Sequence, residues 1–145
     1  MSRHRTKLAA AAAFVLLAIV PATVSAAPGG AVSITINALA TETFTTTGGI
    51  LCASGTATSD FHKFAGGPVA GSFHLTKTLV CGDNPEDTFT IRVNAATVFG
   101  SPTDQGGWSV AGGTGAYAGL SGGGNLVGTY VDGGIIDLYT GIVHL

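Results

Sequence analysis

The segment Gly106–Tyr130, GGWSVAGGTGAYAGLSGGGNLVGTY, decides the fold class. Glycine pairs and triplets alternate in it with short apolar pieces: Trp108-Ser109-Val110, Tyr117-Ala118-Gly119-Leu120 and Leu126-Val127. Glycine is unfavourable inside helices and strands, so it gathers where the backbone takes φ > 0 or passes close to another chain segment. The spacing predicts tight turns between short strands, with one helical turn over Ala116–Leu120.

The same reading extends outward along the chain. Ala31–Leu39 alternates Val32, Ile34 and Ile36 against Ser33, Thr35 and Asn37, which is the period of a strand. Thr41–Thr47 and Ile50–Phe64 continue the pattern, and Gly71–Val80 sets Phe73, Leu75 and Leu79 against Ser72, His74, Thr76 and Thr78. Asp87–Phe99 is the clearest strand, with Phe89, Ile91, Val93 and Ala95 on one face. Ser101–Gly107 reads as a loop; Trp108–Ala111, Asn125–Tyr130 and Ile135–Leu145 complete the set. Nothing beyond the first residues sustains a helical repeat. Seven to nine short strands predict an all-β antiparallel barrel, with a β-sandwich as the alternative. A barrel is preferred because closure removes the exposed edges of a Thr- and Val-rich chain.

The N-terminal residues read as a leader. Arg3, Arg5 and Lys7 precede an apolar run from Leu8 to Val20, Pro21 breaks it, and Val24-Ser25-Ala26 offers small residues for cleavage between Ala26 and Ala27. The run is short for a bilayer span, so residues 1–26 are expected to be a signal peptide rather than a membrane anchor. Residues 27–145 are then one secreted domain. That domain keeps only Lys63, Lys77 and Arg92 against eight acids. It has no basic patch for nucleic acid or anionic membranes. Export into an oxidising compartment pairs Cys52 with Cys81 in a disulfide, and a thiolate nucleophile has no recognisable His–Asp partnership.

The run Trp108-Ser109-Val110-Ala111-Gly112-Gly113-Thr114-Gly115-Ala116-Tyr117, followed by Leu120, Gly122 and Gly124, resembles the Gly-Gly-Thr-Gly-x-(Tyr/Phe) turn of the allene oxide cyclase and dirigent-like barrels. Small secreted bacterial proteins of unassigned role carry similar runs. The resemblance implies an eight-stranded antiparallel barrel with an apolar central cavity, often oligomeric in the plant members, so a homo-oligomer is one expectation. It carries over the turn residues Gly112, Gly113, Thr114, Gly115, Tyr117 and Leu120 and no catalytic residue. Where the dirigent turn continues into an Arg-containing segment, this chain has Ala118-Gly119-Leu120.

The polar residues narrow the function classes. Gly113-x-Gly115-x-x-Ala118 imitates a dinucleotide fingerprint, but that motif needs a βαβ unit, and the residues after Ala118 read as strands; no cofactor is expected. Asp60 and His62 share a strand face, yet nothing makes a third or fourth metal ligand converge on them, so no metal is expected either. Lys77 stands between Leu75 and Leu79 on an apolar face. A lysine inside a barrel requires a partner, for which Asp137 and Glu42 are the candidates; a rim position, or a bulge reversing the alternation, is the competing reading. The side chains expected to line a cavity are Lys77, Phe89, Ile91, Trp108, Asp137 and Tyr139, with Trp108 and Tyr117 also suited to plugging the core. Three functions remain: a binding module for a small apolar ligand or a partner surface, a structural protein with a filled barrel, and a cyclase- or isomerase-like enzyme acting by confinement. The lack of an acid/base constellation favours binding over turnover. Cavity volume separates the filled barrel from the other two.

Overall fold

The strict alternation of the clearest segments becomes an inner and an outer row of side chains. In β1 (Gly30–Ala38) Val32, Ile34 and Ile36 are buried. In β5 (Thr88–Val98) Phe89, Ile91, Val93, Ala95 and Thr97 are buried, while Arg92, Asn94 and Ala96 between them are exposed. The computed structural model describes residues 29–145, so the expected leader at residues 1–26 lies outside the described residues. The remaining strands are β2 (Thr43–Thr47), β3 (Ser54–Gly66), β4 (Ala70–Cys81), β6 (Thr103–Gly113), β7 (Ser121–Val131) and β8 (Gly134–His144). Each pairs antiparallel with its neighbours in sequence, and β8 returns to β1 in the register Ile34↔Tyr139 and Ile36↔Asp137. The sheet is therefore a closed eight-stranded barrel and not a sandwich.

Three segments depart from the sequence reading. The strand expected over Ile50–Phe64 begins at Ser54, because Ile50–Cys52 turn across the barrel end and Leu51 is buried there. The loop expected over Ser101–Gly107 is strand from Thr103 onward. Most of the glycines expected to mark turns lie inside β6 and β7 instead. Their role is space. Trp108 on β6 donates its indole N–H to the Thr140 carbonyl of β8 at 3.3 Å. The ring must cross β7 to reach it, and the β7 residue paired with Trp108 is Gly124, whose neighbour on β8 is Gly141. A β-carbon on Gly124 would collide with the Thr140 carbonyl oxygen.

One end of the barrel, here called the base, is sealed by the glycine-rich turn and the disulfide. The expected helical turn is a 3-10 turn at Gly115–Tyr117. Thr114 donates its hydroxyl to the Glu86 carbonyl at 2.6 Å, and Asp87 accepts from the Ala116 N–H at 2.8 Å. Gly115 sits at φ +55°, where a side chain would be strained and would also meet the Asp87 carboxylate. The turn thereby drives Tyr117 and Leu120 into the base. Tyr117 packs edge-on against Phe89 with ring centres 5.4 Å apart, and Phe89 against Phe44 at 5.9 Å. The Cys52–Cys81 bond joins the loop before β3 to the end of β4 across 29 residues.

Candidate ligand cavity

The base is packed, and the opposite end is not. A cavity of about 220 Å³ opens toward the mouth, where β4 and β8 begin and β5 and β7 end. Its apolar wall is Phe73 and Leu75 of β4, Val93 and Ala95 of β5, Leu126 of β7 and Ile135 of β8. A second hollow of about 360 Å³ lies outside it against Val98–Ser101. Phe73 and Tyr130 border both spaces and so form the partition between them.

The polar groups come from the same inward rows. Lys77 pairs with Ser59 and Ile91 in register, and no bulge interrupts the alternation at that point. It is 4 % exposed. Its ammonium donates to the Ser59 hydroxyl at 2.8 Å and stands 3.4 Å from Asp137 and 3.8 Å from Glu42. Ser59 in turn donates to Glu42 at 2.9 Å. Both carboxylates considered as partners of Lys77 therefore reach it. Tyr139 donates its hydroxyl to Asp137 at 3.0 Å. Burial, followed by the Asp137 charge, pushes the Tyr139 phenol up, so it stays a donor.

Asp104 completes the cluster. It occupies the inward row of β6, pairs with Gly128 of β7, and Gly128 pairs with Asp137 of β8. The missing side chain of Gly128 lets the two carboxylates face each other, since a β-carbon there would strike the Asp104 carboxylate and stand 2.9 Å from that of Asp137. Asp104 is 5 % exposed. Its Oδ2 accepts one long hydrogen bond, 3.4 Å from the Tyr130 hydroxyl, and its Oδ1 is enclosed against Gly128 with no side-chain partner. Burial above all, and then the Asp137 charge, hold its carboxyl above the usual aspartate range, against the opposing pull of the Tyr130 hydroxyl and of the Gly128 and Asp104 backbone N–H groups. Lys77 is thus paired with Asp137 and Glu42, while Asp104 faces Asp137 across Gly128.

Of the side chains expected to line a cavity, Lys77, Asp137 and Tyr139 do so. Phe89, Ile91 and Trp108 belong to the packed core instead, Phe89 at the base and Trp108 edge-on to Tyr139 at 6.2 Å. Gly112, Gly113, Thr114, Gly115, Tyr117 and Leu120 lie at the end of β6 and in the base turn, away from the cavity. Asp60 and His62 are exposed, with His62 Nδ1 3.9 Å from Asp60 Oδ2. Among the described residues the cluster tight enough for a metal ion is Cys52, Cys81 and Asp83, and its sulfurs are already bonded to each other. Asp104 and Tyr130 escaped the sequence reading. Asp104 fell in a segment read as loop, although its even spacing from Gly106 and Trp108 places all three in one inward row. Comparison with known proteins found no matching family model, curated protein or solved structure.

Proposed function

We propose that this chain is an exported barrel that binds a small, largely apolar molecule at its mouth. The observation that carries this reading is the cavity itself: an apolar wall closed at the base, with polar atoms gathered on one side. Ligand sites in general are concave, mostly apolar and oriented by a few polar groups. Size sets the ligand class. An engineered apolar cavity of about 150 Å³ admits benzene, and drug-sized ligands need about 300 Å³ or more. A cavity of about 220 Å³ falls between, which suits one ring with a short substituent. Export is supported by the leader-like residues 1–26 and by the disulfide, which persists in oxidising compartments. Kinship with the allene oxide cyclase and dirigent-like barrels is proposed on the glycine turn alone. The raised carboxyl of Asp104 beside the cavity favours one second reading, a cyclase- or isomerase-like enzyme in which Asp104 acts on a confined substrate.

The test uses toluene as the probe and amide and methyl NMR shifts as the readout. Toluene is expected to shift Leu75, Val93 and Leu126 in a saturable way, and Ala95→Phe, which fills the wall, is expected to abolish those shifts while the barrel stays folded. Shifts confined to the outer surface, or unchanged in Ala95→Phe, contradict the cavity reading.

A further inference from the structure

We propose a second site, on the outer face of the barrel, that binds a tetrahedral oxyanion: the phosphate or sulfate group of a small soluble molecule. It does not rest on the mouth cavity. The register of β3, β4 and β5 gathers residues that lie far apart in the sequence. Lys63 pairs with His74 and His74 with Asn94; one row nearer the base, Asp60 pairs with Thr76 and Thr76 with Arg92. Arg92 and Asn94 are exposed between the buried Ile91, Val93 and Ala95, so this row faces outward. His62 joins it through a bulge, as the extra residue between Phe61, opposite Leu75, and Lys63, opposite His74. A bulge re-aims a side chain in this way. His62, His74, Thr76, Arg92 and Asn94 border one hollow of about 230 Å³.

Arg92 carries a charge that the fold leaves unanswered. Its cross-strand neighbours are Thr76 and Ser109 and its diagonal ones His74, Thr78 and Gly107, none of them an acid. Among the described residues the ion pairs are those of Asp60 with His62 and of Lys77 with Asp137 and Glu42, so neither Arg92 nor Lys63 has a carboxylate. Asp83, Glu86 and Asp87 belong to the loop before β5. The closest of them in sequence, Asp87, lies about 17 Å from Arg92 along the chain, beyond the screening length of about 8 Å at physiological salt. His74 adds a directed donor. Its Nδ1 bonds the Asn94 side-chain oxygen, which can only accept, so Nδ1 carries the proton and Nε2 becomes a second donor when the ring is charged. A planar carboxylate is matched by one guanidinium fork, whereas donors rising from three strands match an anion with acceptors in several directions. The groups facing the hollow are Asp60, His62 and Lys63 from β3, His74 from β4 and Arg92 from β5, and β6 sets only Gly107 and Ser109 beside them. Lowering the pH protonates both imidazoles, so an anion of constant charge binds more tightly.

Sulfate is the probe, because it stays doubly charged from pH 5.5 to pH 8. Titrated at constant ionic strength and followed by amide NMR, it is expected to give saturable shifts centred on His62, His74 and Arg92, with affinity rising as pH falls. Arg92→Ala is expected to weaken sulfate about tenfold, the loss of one charge-assisted contact. His62→Gln combined with His74→Gln is expected to flatten the pH dependence and to spare the affinity at pH 8. Arg92 and His62 are exposed, so Arg92→Ala and the double variant are expected to keep the parent's urea midpoint. Inorganic phosphate and glycerol 2-phosphate competing for the same residues support a soluble ligand. Binding that needs vesicles containing phosphatidic acid moves the phosphate to a membrane surface and overturns that assignment. Shifts that fail to saturate, that spread over the whole surface or that persist in Arg92→Ala overturn the site itself.

Discussion

Lys77→Met is expected to lower the stability of the barrel by about 3–5 kcal/mol at neutral pH, the range found when one partner of a buried ion pair is removed. Methionine fills nearly the same volume, so the loss does not come from a void. It comes from Asp137, 5 % exposed, and from Glu42, which lose the ammonium held 3.4 and 3.8 Å from them. The cluster is cooperative, since Ser59 bridges Lys77 and Glu42 while Tyr139 holds Asp137. Adding Asp137→Asn to Lys77→Met is therefore expected to restore part of the loss, because an amide oxygen still accepts from Tyr139 without burying charge. Urea denaturation of the two variants and the parent measures both effects. A loss under 1 kcal/mol for Lys77→Met would mean that water screens the pair and that this side of the cavity is effectively open solvent.

Removing the disulfide is the second large effect. The double change Cys52→Ser, Cys81→Ser releases a loop closed across 29 residues, and chain entropy assigns that bond about 3–4 kcal/mol. For a domain of this size the corresponding fall in Tm is on the order of 10–20 °C. The bond tethers the loop that carries Leu51 into the base, with Ile50 packed beside it. Base and mouth are opposite ends of the barrel, so the fraction that remains folded is expected to bind toluene as before. Thermal unfolding of parent and double variant, with and without toluene, reads both parts. An unchanged Tm contradicts the role given to the bond.

How much was legible in the sequence depends on how each strand is buried. β1 and β5 alternate large apolar residues with polar ones, so one row of each had to face a core, and their bounds are read within a residue or two. β6 and β7 hide behind glycine, which signals a turn by local preference and a close approach by tertiary context. Here Trp108 settles the matter, since its indole needs Gly124 bare on the neighbouring strand. Lys77 drew attention because a charge broke an apolar row. Asp104 drew none, for two reasons. Its strand was read as loop, and its partnership with Asp137 exists only through the register across Gly128, a long-range fact that no local pattern encodes.

Asp104, a buried acid in the wall of the cavity, gives the most direct test. Its carboxyl titrates higher in the folded chain than the ordinary value of 3.8. Between that value and the raised one, the folded chain keeps a proton that the unfolded chain has lost. The stability tied to this group is thus full below the ordinary range and is lost as pH rises through the raised one. A buried carboxyl whose desolvation outweighs its hydrogen bonds behaves in this way. The measurement is the unfolding free energy of Asp104→Asn and the parent from pH 4 to pH 7.5, without ligand. Asp104→Asn is expected to equal the parent near pH 4 and to exceed it by about 1–2 kcal/mol at pH 7.5, the cost of a buried, poorly partnered polar group. A variant less stable than the parent at pH 7.5 would show that the ionised carboxylate is satisfied by the fold itself, and would contradict the placing of a desolvated acid in the cavity wall.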